Sequence, residues 1–216
     1  MKIVDRIVSA LLSLAVIPVA IFVPMLHWVY QIMGYDIVNS LLGGNLTEAG
    51  DTGITEDNYS LYALYNQLKS FGVDFKGMLS GNTEINAAAE PIIPYIKMTA
   101  VFLIVALLIA LVTGIVSAVS NAKITQMILS ACGIGSLIGM MISFNKFASP
   151  IVSGNITLGS LFDIPFVSFI TKMHALNLST AWVFMVMLFA ALILWSLSYI
   201  LTGDKENTIK KQGKKS

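Results

Sequence analysis

The chain has 216 residues, 56% of them hydrophobic and 12% charged, with a formal net charge of +1. Soluble domains carry nearer a quarter charged residues, so this composition, with a mean hydropathy of +0.80, excludes a free globular domain and indicates a membrane protein. Cys132 is the only cysteine; an intrachain disulfide is excluded, and a long outer loop without one leans toward a bacterial membrane.

A spanning helix needs about 20 mainly apolar residues, and four stretches qualify. The first, residues 7–32, is uncharged, and Pro18 and Pro24 are expected to kink it. Lys2 and Arg6 precede it in the manner of a secretory signal, but the apolar run is long and no clean small-x-small cleavage site follows, so an uncleaved anchor is expected.

The first outer loop, residues 35–97, carries Asp36, Glu48, Asp51, Glu56, Asp57, Asp74, Glu84 and Glu90 up to residue 90, against Lys69 and Lys76. Residues 43–58 are rich in Gly, Asn, Thr and Asp and read as turn and loop. The segment DNYSLYALYNQLKSFG then predicts a short helix, capped by Asp57, with Leu61, Leu64 and Leu68 at helical spacing and Gly72 as its stop. Tyr59, Tyr62 and Tyr65 form a neighbouring stripe. Tyrosine is enriched at partner surfaces, which makes these three the candidate partner-binding residues; the alternative is packing onto the second loop or onto lipid headgroups.

The second and third spans, residues 98–119 and 124–144, are separated so briefly that a tight antiparallel hairpin is expected. Ala106, Ala110, Gly114 and Ala118 recur every four residues on one, and Ala131, Gly135, Gly139 and Ser143 on the other. Because lipid is as apolar as leucine, helices associate in bilayers through close van der Waals approach, which small residues permit. The two stripes are expected to face each other and seal the hairpin; docking of a second copy or another protein is the alternative.

The second outer loop, residues 145–179, is unusually apolar. LFDIPFVSFITKM predicts a helix starting at Asp163 with Pro165 in its first turn. It is too short to span, and is interfacial or re-entrant. The fourth span, residues 180–201, leads into a basic tail, residues 204–216, with five lysines against Asp204 and Glu206.

Lysine and arginine near span ends favour the cytoplasm. Lys2, Arg6, Lys123 and the tail lysines fall on one side, and Lys69, Lys76, Lys97, Lys146 and Lys172 are spread over longer loops on the other. Both termini are therefore expected to be cytoplasmic, in a multi-pass plasma-membrane protein. Trp28, Tyr30, Tyr95, Trp182, Trp195 and Tyr199 fall near span ends, as interfacial aromatic belts require.

The span cores as drawn hold no Asp, Glu, Lys, Arg or His, which argues against proton-coupled transport. His27 and His174 lack ligand spacing, so no metal is expected, and the methionines read as packing groups. Asn-x-Ser/Thr sites at Asn45, Asn58, Asn155 and Asn177 fall on outer loops, where they matter only in a eukaryotic secretory route. No phosphate loop and no nucleophile with a partner base is present, and Cys132 lies in an apolar setting that keeps a thiol inert. Neither enzymatic activity, nor a cofactor, nor a nucleic-acid partner is expected.

The expectation is an all-α membrane protein: a four-helix bundle over residues 1–203 with a short helix in its large first outer loop, partnered by the bilayer and by a protein or a second copy. In topology alone this plan resembles the tetraspan layout of claudin-type and tetraspanin-type proteins. The cysteine pairs and Trp-containing loop signature of those families are absent, and no membership is implied. The expected function is interaction or assembly through the outer loops. The alternative is a pore or transport subunit, with Pro18, Pro24 and residues 164–170 lining an opening between protomers.

Overall fold

The structure, a computed structural model, describes residues 2–32, 54–70, 90–120, 122–156 and 171–212. It is mostly helical. Four helical segments, Ile3–Phe22, Glu90–Val119, Lys123–Val152 and Thr180–Thr202, are long and apolar enough to cross a membrane.

The first of these is interrupted and ends ten residues earlier than the sequence led us to expect. Helix α1 runs Lys2–Leu14 and α2 runs Val16–Phe22. Pro18 has no N–H to offer the Leu14 carbonyl four residues back, and its ring crowds that carbonyl; the break falls at Ala15. Pro24 disfavours helical geometry at the residue before it, and the chain turns extended. Pro24–Ile32 is strand β1, not the end of a helix.

This strand corrects the all-α expectation. β1 lies between β2, Ile54–Ser60, and β3, Thr171–Leu178, in an antiparallel sheet of order β2-β1-β3. His27 is opposite Asn58 on one side and Asn177 on the other, with a bulge between Val29 and Tyr30 on the β3 side. Alternation sorts the sheet into two faces. Leu26, Trp28 and Tyr30 pack with Met173 and Leu176 onto a core that includes Ile92, Phe144 and Ile151. His27, Glu56, Asn58, His174 and Asn177 lie on the other.

Helix α3, Leu61–Ser70, follows β2 directly and matches the short helix read from the sequence. Its cap is Ser60, whose Oγ accepts from the Ala63 N–H at 3.1 Å. Asp57, the expected cap, is inside β2 opposite Trp28, because a strand occupies Ile54–Ser60 where the turn-rich composition suggested loop. Gly72 and the helix expected from Asp163 lie outside the described residues.

A 3-10 turn, Glu90–Ile92, opens helix α4, Ile93–Val119. Helix α5, Lys123–Val152, follows after a short connection and ends beyond Pro150 near Gly154, whose φ is 78°. Helix α6, Thr180–Gln212, continues unbroken into the basic tail, so most of residues 204–216 is helical. The chain divides into two compact units, one of Met1–Val19, Phe102–Gly139 and Trp182–Ser216, the other of Ala20–Val101 and Met140–Ala181.

Candidate functional sites

The first unit holds a charged centre that the sequence reading did not identify. Asp5 on α1 and Lys123 at the start of α5 pair at 2.6 Å, with side chains only 6% and 4% exposed. Lys123 Nζ also donates to Ser9 Oγ at 3.1 Å and to Gln126 Oε1 at 3.3 Å. Ser196 Oγ donates to that same Gln126 oxygen at 3.3 Å, and the Trp195 indole N–H donates to Asp5 Oδ1 at 2.7 Å. The ammonium lies 5.0 Å from the Tyr199 ring centroid, within cation–π range.

Burying either charge alone is costly; paired and hydrogen-bonded, the two hold three helices in one arrangement. Gln126 Nε2 and Ser130 Oγ, about one turn apart on α5, are buried with no hydrogen-bond partner among the described residues. Beside Asp5 lies a cleft of about 360 Å³, lined by Val4, Trp195, Ser198, Tyr199 and Thr202.

The sequence held a signal for this centre. Asp5, Ser9 and Ser13 repeat every four residues, and Lys123, Gln126 and Ser130 follow at three and four, so each set forms a polar stripe along one helix face. All six are buried. Drawing the first span from Ile7 and the third from Ile124 left out both charges, and Lys123 was counted only toward the orientation of the chain.

The small-residue positions are placed differently from the expected stripe-on-stripe contact. Ala106, Ala110 and Gly114 are buried, Ala118 is exposed, Ala131 and Gly135 are exposed, Gly139 is half-buried and Ser143 is buried. A Cβ added at Gly114 would fall 2.8 Å from Leu14 of α1, and one at Gly139 would fall 2.8 Å from Phe102 of α4. At Gly133, outside both stripes, it would fall 2.6 Å from Phe189 of α6, whereas at Gly135 nothing among the described residues lies within 4 Å. Gly114, Gly133 and Gly139 thus receive large side chains instead of other glycines. Polar ties accompany them: Ser13 Oγ donates to the Ala110 carbonyl at 2.6 Å, Ser136 Oγ to Phe102 at 2.7 Å and Trp182 Nε1 to Leu137 at 3.0 Å.

In the second unit the three tyrosines do not share a stripe. Tyr59 lies in β2, its ring 4.9 Å from Trp28 and its hydroxyl donating to Asp57 at 3.4 Å; an extended backbone turns it away from the helix face that carries Tyr62 and Tyr65. Those two are 57% and 55% exposed, and the Tyr62 ring is 5.9 Å from that of Phe22. Burial, then the negative charge of Asp57, raises the Tyr30 hydroxyl above its ordinary value of 10.0.

The outward sheet face is joined across strands by side chains. His27 Nδ1 lies 3.3 Å from Asn58 Oδ1 and 3.7 Å from Glu56, and His174 Nε2 lies 3.1 Å from Gln31 Oε1. Among the described residues no group of three or more His, Cys, Asp or Glu is placed to hold a metal ion. Comparison with protein families, curated proteins and solved structures finds no match for this chain.

Proposed function

We propose that this is a non-enzymatic membrane interaction or assembly protein, anchored by its four apolar helices, with both termini cytoplasmic and the sheet-bearing unit on the outer side. The charge distribution supports that orientation. One observation carries the reading: the sheet packs Leu26, Trp28, Tyr30, Met173 and Leu176 onto its own core and presents His27, Glu56, Asn58, Lys172, His174 and Asn177 on the opposite face. A pleated face fixed by a packed core holds polar groups at set spacings, which suits recognition of a partner protein or an envelope component. Compared with the sequence reading, the partner surface moves from the tyrosines to this face.

The test is amine-directed crosslinking with mass spectrometry in the native membrane, where Lys172 supplies an amine on that face. The reading expects crosslinks from Lys172 to a partner or a second copy, and their loss in Glu56→Arg/His174→Glu. Crosslinks to lipid-embedded or cytoplasmic positions only would overturn it.

The buried Asp5–Lys123 pair supports a second reading, a transport subunit, because ionisable groups within spans commonly mark solute or proton paths. Against it, Leu137, Met185, Phe189 and Leu192 fill the same unit and are closed to solvent. Solute or proton flux into vesicles carrying the purified chain, abolished by Asp5→Asn, would favour this reading over the first.

A further inference from the structure

We propose that α3 is an interfacial helix whose Tyr62, Tyr65 and Lys69 face rests in the phospholipid headgroup layer at the end of the first span. Phe22, the last residue of that span, is 64% exposed. If the segment ending there crosses a bilayer, this ring marks the depth at which hydrocarbon gives way to headgroups. The Tyr62 ring lies 5.9 Å from it, so α3 is held at that depth by direct contact.

The composition of the exposed face suits that position. Tyr62, Tyr65 and Lys69 stand at i, i+3 and i+7, which is one side of a helix, and all three are exposed. The other side of α3 is taken up by β1 and β2, against which it packs. Two exposed aromatic rings on a water-facing helix are unfavourable, whereas tyrosine rings concentrate at membrane interfaces and a lysine stem lies along apolar surface with its ammonium among phosphates. The occupant is therefore the bilayer, continuous with the lipid-facing surface of the first span. This inference rests on the membrane-spanning reading and is independent of the partner proposed for the sheet face.

The experiment uses the full-length chain in phosphatidylcholine vesicles, with Cys132→Ser removing the native thiol and a nitroxide attached at Tyr65→Cys. Reference labels go at Glu56→Cys on the polar sheet face and at Leu194→Cys on an exposed face of α6. Collision with oxygen and with a water-soluble nickel chelate is read by electron paramagnetic resonance. The expected result is a severalfold lower nickel accessibility at position 65 than at 56, with an oxygen-to-nickel ratio between those of 56 and 194. Nickel accessibility equal to that at 56 would overturn the proposal by placing α3 in water. Protection from both reagents would also overturn it, by placing α3 against protein. A label at Lys69→Cys repeats the measurement with both tyrosines intact.

Discussion

The Lys123 ammonium lies 2.6 Å from the Asp5 carboxylate, across 118 positions of sequence, and both side chains are almost closed to solvent. Removing one partner strands the other charge in an apolar setting, which costs about 3–5 kcal/mol, whereas replacing both with apolar groups of similar volume is often neutral. Lys123→Met and Asp5→Leu should each lower the thermal unfolding midpoint in detergent strongly. The double variant should recover most of the loss. A double variant as unstable as the sum of the singles would contradict the pairing.

Gly133 and Gly135 differ by two positions and should differ sharply in tolerance. Gly133→Ala places a methyl against the Phe189 ring, deep in the unit, and overpacking of this kind costs about 1–3 kcal/mol. Gly135→Ala enters open space and should leave stability unchanged in detergent. Adding Phe189→Leu should relieve Gly133→Ala. Equal effects at 133 and 135 would show that the small residues act by some other contact.

These two cases show how far the sequence could be read. The four apolar helices and α3 were legible, because each depends on local composition and period. The partners of the glycines were not, because Leu14, Phe102 and Phe189 are ordinary span residues until tertiary structure brings them to Gly114, Gly139 and Gly133. The sheet was missed for a different reason. Residues 24–32 have no charge, so hydropathy merged them with the first span, although Pro24 and the alternation of Leu26, Trp28 and Tyr30 are strand signals. The Asp5–Lys123 centre was missed because span boundaries were drawn at the charges, which presumes that a charge at a span end stays in water.

Ser60, and not Asp57, should set the start of α3. Ser60→Ala removes the acceptor of the Ala63 N–H, a change worth about 1 kcal/mol at helix N-termini, and amide exchange over residues 61–65 should accelerate accordingly. Asp57→Asn should leave that exchange unaltered, since Asp57 lies within β2 opposite Trp28. Faster exchange in Asp57→Asn with none in Ser60→Ala would restore the capping role read from the sequence.

Tyr30 should make the sheet-bearing unit sensitive to alkali. Its hydroxyl is raised by burial and by the charge of Asp57, so the folded protein holds that proton more tightly than the unfolded chain does. The resulting stability is fully present below pH 10, where both states are protonated. It then falls as pH rises from the unfolded value through the higher folded one. Asp57→Asn removes the charge that adds to burial and should make this loss smaller and complete at a lower pH, with its onset unmoved because the unfolded chain sets it, while Tyr30→Phe, which has no proton to release, should abolish the component altogether. The measurement is chemical unfolding followed by Trp28 fluorescence between pH 8 and pH 12, in a background where Trp182 and Trp195 are Phe. An alkaline slope that persists in Tyr30→Phe would assign the sensitivity to another group.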